Sequence, residues 1–449
     1  MQFVLTALMR RLLLPLVLVS SAYAAEPEPL PEPLTLDYAL SLADEMHPTL
    51  LAQEARRELT RAQMMQVEAD NALSVSIEGR ARWVEPSSIA EDEGVTDDHK
   101  LSLFVRKPLY DFGLNNSKRE AARQSEMGAA QRYRMALRER KVAIMQAFFD
   151  VLLADMQYAR DNEELAITYI ALDKLRNRQE MGQASDIQVF ELESEYQRVR
   201  TRINRSRNLQ RATRSRLANL LNRPGMLPSD LQRPSLDYHK RELPEYEELL
   251  EAALEYNPQI KALESELDAA RRQVEAARAI AGPRVDGEVE ASAYSRELGS
   301  SDRVRAGVTL EIPIYTGGRV DAAVAEQQAN VYELQSRLAE SRYALRQNVL
   351  DLWLELQNLK LQREQAYSEM DYRELYLDRS RTDYELEFEA DLGDAMVRMS
   401  EAQLALAKNN YEYAIVWERL LALTNHELPG DEAASSAPGT DGEEKGAVK

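Results

Sequence analysis

The side chains in this sequence that could do chemistry are carboxylates, arginines and four histidines; there is no cysteine. Without thiols, a disulfide framework, a thiolate metal site, a cysteine nucleophile and a lipidated N-terminal cysteine are all excluded. His47, His99, His239 and His426 lie far apart with no HExxH-type spacing, so no catalytic zinc is expected. No GxGxxG or GxxxxGK[ST] string occurs, and no cofactor is expected. The 76 acidic residues sit mostly in amphipathic repeats, without a cluster that would form a pocket for acid–base work. Two groupings remain. Glu387, Glu389, Asp391 and Asp394 crowd around one turn, where acids favour the start of a helix. Glu78, Arg80, Arg82, Arg106, Glu288, Glu290, Arg305 and Glu311 fall on the polar positions of four alternating segments.

Those four segments are read as strands. Val75, Ile77, Gly79, Ala81 and Trp83 alternate with Ser74, Ser76, Glu78, Arg80 and Arg82. Leu101, Leu103, Val105 and Leu109 oppose Ser102, Phe104 and Arg106. Val285, Gly287, Val289, Ala291 and Ala293 oppose Asp286, Glu288, Glu290 and Ser292. Ala306, Val308, Leu310, Ile312 and Ile314 oppose Arg305, Gly307, Thr309 and Glu311. A half-buried sheet on a soluble core would show this period, and on alternation alone it is the favoured reading. A transmembrane barrel shows it too, with apolar side chains toward lipid and polar ones toward a lumen. The density of charges of both signs favours the barrel, as do Trp83, Tyr110 and Tyr315 near strand ends. Four strands cannot close a barrel, so several chains must contribute; three chains give twelve strands. Hydrophilic loops, Glu85 to His99 and Arg296 to Asp302, join the two hairpins.

The chain is built twice. Leu40, Ala43, His47, Pro48 and Leu50 fall on Leu250, Ala253, Asn257, Pro258 and Ile260, each set a short helix followed by a proline that opens a second. Pro108 to Gly113 (PLYDFG) lines up with Pro313 to Gly318 (PIYTGG), Ser185-Asp186-Ile187 with Ala390-Asp391-Leu392, and Asn222 with Asn425. After each glycine comes a run of almost seventy residues without proline, about 100 Å long as a helix. Val142, Met145, Phe149, Leu152 and Met156 form one heptad seam, and Leu345, Val349, Leu352, Leu356 and Leu359 its counterpart. Turns follow at Gly182 to Ser185 and near Glu387 to Ala390, and Ser185 is placed to cap a returning helix.

Repeat 1 is therefore expected over 34–222, with its hairpin at 73–109 and long helices at 114–222. A Pro-rich linker over 223–243 leads to repeat 2 over 244–428, with its hairpin at 284–314 and long helices at 319–425. Arg10 and Arg11, the apolar run Leu12 to Val19 and Ala22-Tyr23-Ala24 read as a signal peptide over 1–24. No later stretch of about 20 apolar residues is expected to span a membrane. Removing the signal takes the net charge from -20 to -22, which argues against nucleic-acid binding. Residues 429–449 read as a disordered acidic tail.

The paired Leu-x-x-Ala…[His/Asn]-Pro segments, the paired Pro-[Leu/Ile]-Tyr-x-[Phe/Gly]-Gly joints and the Gly182-x-x-Ser185 turn resemble the TolC family of outer-membrane efflux proteins, over residues 34–428. The resemblance implies a mainly α fold with transmembrane β: antiparallel coiled-coil helices forming a periplasmic α-barrel, and four strands per protomer completing a trimeric 12-stranded β-barrel. It implies a homotrimer in outer-membrane lipid of a Gram-negative bacterium, reaching into the periplasm. It implies a passive duct without catalysis, serving a tripartite efflux pump or a type I secretion system through a periplasmic adaptor and an inner-membrane transporter. The charges on the alternating segments would then face the lumen. Members of the family narrow near the second turn, so Asp391, Asp394, Glu387 and Glu389 become candidates for a periplasmic gate, with helix capping as the competing role. Glu387 stands where a turn glycine is expected, and Gly393 and Gln188 where carboxylates are common. The alternative is a soluble periplasmic coiled-coil adaptor with the same long helices.

Overall fold

The computed structural model describes residues 29–85, 95–296, 302–386 and 391–424. The expected signal peptide at 1–24, the tail at 429–449 and Asn425 lie outside the described residues, as do parts of both hairpin loops. The chain opens with α1 (Leu36–Ser41), started by the Thr35 hydroxyl accepting from Tyr38 N, and then α2 (Pro48–Asp70). The proline at the first position of α2 gives up a donor that has no intrahelical partner there. The second copy repeats the device with α5 (Tyr246–Tyr256) and α6 (Pro258–Ala279). Asn257 Oδ1 accepts from Gln259 N at 3.0 Å and Ile260 N at 3.1 Å, while His47 Nδ1 takes the same place by accepting from Thr49 N at 3.3 Å.

Strands β1 (Ser74–Arg80), β4 (Lys100–Tyr110), β5 (Arg284–Tyr294) and β6 (Val304–Glu311) form one antiparallel sheet in the order β1-β4-β5-β6. Two strand limits differ from the sequence expectation. The first strand stops at Arg80; β2 (Trp83–Val84) and β3 (Thr96–Asp97) form a separate ribbon, where Arg82 O accepts from Asp98 N at 2.9 Å. The last strand stops at Glu311, leaving Ile312 and Ile314 outside it; Pro313 there has no N–H to continue a ladder. Pro108, also without an N–H, lies inside β4, where the register shifts between Pro108 and Tyr110.

Each hairpin hands over to a long helix at a left-handed glycine. Gly113 (φ 87°) precedes α3 (Leu114–Glu180) and Gly318 (φ 79°) precedes α7 (Arg319–Glu385), both of 67 residues. The returning helices are α4 (Asp186–Leu220) and α8 (Leu392–Thr424). Near the tip α4 packs on α3, α3 on α8, and α8 on α7. Nearer the sheet α2 packs on α3, α3 on α6, and α6 on α7. The layer therefore has the same edges along its length: α7 on one side, α2 and then α4 on the other.

The expected heptad seams are in the core: Met145, Phe149 and Leu152 in one cluster, Leu345, Val349, Leu356 and Leu359 in the other. Helix α8 joins the two, giving Tyr411 to the first and Trp417 to the second, with Phe149 and Tyr411 stacked at 4.4 Å. One stretch of α3 is apolar and long enough to span a bilayer, contrary to expectation. It contains Ile144, Met145, Phe148, Phe149 and Val151, all at most 2% exposed, so its apolarity is used in the core. A polar hub ties the bend after α1 to the end of α4. Buried Arg140 donates to the carbonyls of Glu45 (2.7 Å), Leu220 (3.1 Å) and Leu42 (3.3 Å), and Arg223 grips the Glu45 carboxylate at 2.7 and 2.9 Å.

His47 adjoins this hub, and burial together with the Arg140 charge lowers its pKa. The unfolded chain therefore binds a proton that the folded chain refuses, from the ordinary imidazole value downward. Stability is present above that value and lost as pH falls through the folded one. His47→Asn, which copies the cap of the second repeat, should flatten the dependence of thermal unfolding between pH 7.5 and 5. An unchanged slope would place the acid sensitivity elsewhere.

Candidate functional site: a charged sheet face and a helical tip

The alternation of the strands places Glu78, Arg106, Glu288, Glu290 and Arg305 on one face of the sheet. The pairing sets Arg106 opposite Glu288 and Glu290 opposite Arg305. Arg106 bridges Glu288 at 2.6 Å and Glu78 at 3.3 Å, with its guanidinium 4.1 Å above the Phe104 ring. Glu290 receives Lys100 at 2.5 Å, Ser292 at 2.7 Å, Ser102 at 3.2 Å and the Arg305 guanidinium. Hydrogen bonds from four side chains satisfy the Glu290 carboxyl group, which is only 2% exposed.

The other face is apolar and bare. Val75, Ile77, Leu101, Val308 and Leu310 are all more than half exposed, whereas Ser102, Glu290 and Ser292 on the charged face are buried. This inverts the burial of a sheet packed on a water-soluble core. A contiguous apolar surface of this extent needs an apolar neighbour.

Three sequence-selected charges lie apart from that network. Arg80, opposite Lys100, makes no ion pair or hydrogen bond among the described residues. Arg82 pairs with Asp98 in the ribbon beyond the main sheet. Glu311 faces Arg284 across the pairing, but Arg284 turns to Asp286 at 2.7 Å. Lys100 was missed by the sequence reading. It lies two residues before Ser102, so extending the alternation by one step would have found it.

At the far end of the helices, Gly182 (φ 74°) turns the chain and Ser185 with Gln188 forms a capping box on α4. In that reciprocal cap the side-chain oxygen of Gln188 accepts from Ser185 N at 3.0 Å. Glu387 and Glu389 lie outside the described residues. Asp391 Oδ1 accepts from Asp394 N at 3.1 Å and its carbonyl accepts from Ala395 N at 3.1 Å, so Asp391 caps α8. Asp394 pairs with Arg398 at 3.3 Å, Arg398 with Glu401 at 3.2 Å, and Glu401 with Arg160 of α3 at 2.9 Å. The charges of Asp394 and Glu401 raise the pKa of Arg398 and keep it a cation. No group of three or more potential metal ligands exists among the described residues.

Gly393 has a steric reason. A Cβ there would stand 2.6 Å from Ile167 Cγ2, so α8 meets α3 at a spot with no room for a side chain. Nothing in the local sequence signals this contact, because Ile167 is 226 positions away.

The comparisons agree with this geometry. The family model described as outer membrane efflux protein matches residues 39–223 and 249–426, one match per repeat. The chain is 24% identical to the alkaline protease secretion protein AprF of Pseudomonas aeruginosa over 345 residues, covering 72% of this chain and 69% of AprF. Its fold is similar to that of the Campylobacter jejuni CmeC outer membrane channel, with TM-score 0.74 at 13% identity over 89% of this chain and 88% of CmeC. It is similar also to the outer membrane protein VceC of Vibrio cholerae, with TM-score 0.71 at 17% identity over 88% of this chain and 97% of VceC.

Gly393→Ala should weaken the α3–α8 contact by about 1–3 kcal/mol, as overpacking does. Adding Ile167→Ala should return most of that loss in a thermal-unfolding double-mutant cycle; additive losses would mean the contact is slack. The bare apolar sheet sets aside the soluble-adaptor alternative, and the match over both repeats establishes that the chain belongs to the outer membrane efflux protein family, as a channel component of the outer membrane.

Proposed function

We propose that three copies of the chain close into one passive duct through the outer membrane and the periplasm. The observation that carries this is the inverted sheet with two free edges, β1 and β6. In hydrocarbon an unpaired strand edge costs several kcal/mol for each unsatisfied backbone group. Pairing β6 of one copy with β1 of the next satisfies both edges. Three copies give twelve strands, with the apolar face toward lipid and the Glu290 and Arg106 network toward the lumen. The helical layer shares those edges, so the same rotation closes a helical tube beneath the barrel.

Such a duct does no chemistry of its own. It serves an efflux pump or a type I secretion system, with a periplasmic adaptor and an inner-membrane transporter supplying contact and energy. The relative AprF, by its name a secretion protein for a protease, supports the secretion member of that pair. The repeat boundaries proposed from the sequence, 34–222 and 244–428, give each copy one hairpin and one long helical pair. Asp391 and Asp394 act as gate residues, because threefold repetition would bring three copies of each to the narrow end of the tube.

Native mass of the membrane-extracted protein in detergent should show three copies per particle. A soluble monomer without detergent would sink the duct. Asp391→Asn with Asp394→Asn should lower cation selectivity in bilayer conductance, since asparagine at 391 keeps the cap while the two changes remove two negative charges and the Asp394–Arg398 pair. Unchanged selectivity would remove both residues from the gate.

A further inference from the structure

Helix α4 carries eight arginines between Arg198 and Arg216 and no acidic residue in that span. Some are used within the chain: Arg202 pairs with Glu164 at 2.8 Å and Arg214 with Asp155 at 2.7 Å, both on α3. Arg200, Arg205 and Arg211 are exposed, and their guanidinium groups make no ion pair or hydrogen bond among the described residues. Arg198 is exposed and, among the described residues, pairs with Glu195 of its own helix alone.

At the opposite edge of the layer, α7 carries exposed carboxylates, interspersed with Arg363, Arg373, Arg379 and Arg381, the last of which lies 3.8 Å from Asp378. Glu364, Asp371, Glu374 and Asp378 are exposed. Glu364, Asp371 and Asp378 recur every seven residues, and with exposed Leu361 and Leu375 they lie on the side of α7 turned away from α8. No carboxylate of Glu364, Asp371 or Glu374 has a partner among the described residues.

Cross-bridges set the relative heights of the helices. Arg202 on α4 meets Glu164 on α3, Arg160 on α3 meets Glu401 on α8, and Arg363 on α7 meets Asn410 on α8 at 3.0 Å. Followed across the layer through antiparallel neighbours, these bring Arg205 level with Asp371 and Glu374. Arg198, seven residues before Arg205 and on the same face of α4, comes level with Asp378 within about one helical turn.

The duplication supplies an internal control. At the constant shift between repeats, Arg198, Arg205 and Arg211 correspond to Gln403, Asn410 and Val416 of α8. Glu364, Asp371 and Glu374 correspond to Ala159, Ala166 and Tyr169 of α3. Helices α3 and α8 are flanked on both sides within the chain. The opposed charges therefore appear only on the two edge helices.

We propose that the arginine strip of α4 docks on the carboxylate strip of α7 of a second copy of this chain, forming a head-to-tail seam keyed by charge. The surface is heterologous, so each copy offers one strip of each sign and a ring of three leaves neither exposed. Opposed charges steer the encounter and fix the register of two otherwise smooth helices. The seam rests on the ring proposed above and adds its contact residues and vertical register.

The absence of native cysteine makes the test direct. Arg205→Cys is combined in one chain with Asp371→Cys or with Glu374→Cys, and the oxidised, detergent-extracted protein is run on a non-reducing gel beside its native mass. Within one chain α3 and α8 separate the two positions, so any disulfide must join two copies. Covalent dimers and trimers from at least one pair are the expected result. A native trimer without cross-links from either pair overturns the seam and leaves the duct standing, with the strip free for another partner; monomers overturn both. Arg198→Glu with Arg205→Glu should lower trimer yield several-fold, and adding Asp371→Arg with Asp378→Arg should restore it. Failure of that rescue in folded protein would overturn the role of charge.

Discussion

The rest of the structure depends on the two free strand edges. A four-stranded sheet with a bare apolar face has nowhere stable to be except in lipid, and lipid offers no hydrogen bonds to β1 or β6. Closure with other copies satisfies both demands at once. Because each long helix follows its hairpin directly through Gly113 or Gly318, the curvature chosen by the sheet passes into the helices. The helical layer then needs the same two lateral faces, and it has them: α7 on one flank, α2 and α4 on the other.

Duplication provides the economy of this design and also its main constraint. Two copies of one unit give four strands and four long helices in alternating direction, but the units stand in different places. Helix α8 lies between α3 and α7, and its apolar residues Tyr411, Ile415 and Trp417 link both core clusters. Its counterpart α4 packs, among the described long helices, along α3 alone, and its sequence is correspondingly polar. The turns diverged too: Ser185 and Gln188 share a capping box on α4, while a carboxylate, Asp391, accepts from Asp394 N at the start of α8. The same backbone plan thus carries different side chains wherever the neighbours differ.

The large elements were legible in the sequence because each has a period. Alternation marked the four strands, proline-free heptads the two 67-residue helices, and the offset between copies the repeats. Strand limits were less legible, since Arg82 and Ile312 continue the pattern after the ladder has ended. The charged sheet face was read from its residue types, yet its partners were not: Lys100 and Glu290 are joined by register, not by local sequence. Gly393 illustrates the limit well. It read as a missing carboxylate, and only the approach of Ile167 shows that the site has no room for one.

The pairing of charges on the sheet has a further consequence. Arg106 is shared between Glu78 and Glu288, and Glu290 between Lys100 and Arg305. Each charge of that network is answered by a neighbouring side chain, so in the duct proposed above, with this face toward the lumen, the wall stays wet while its field falls off within a few ångströms. A surface of that kind is slippery: it hydrates passing cargo without trapping cargo of either sign. In that proposed duct the upper conduit is a lubricated sleeve, and the sorting of what passes falls to the proposed gate at the helical end and to the machine that loads it.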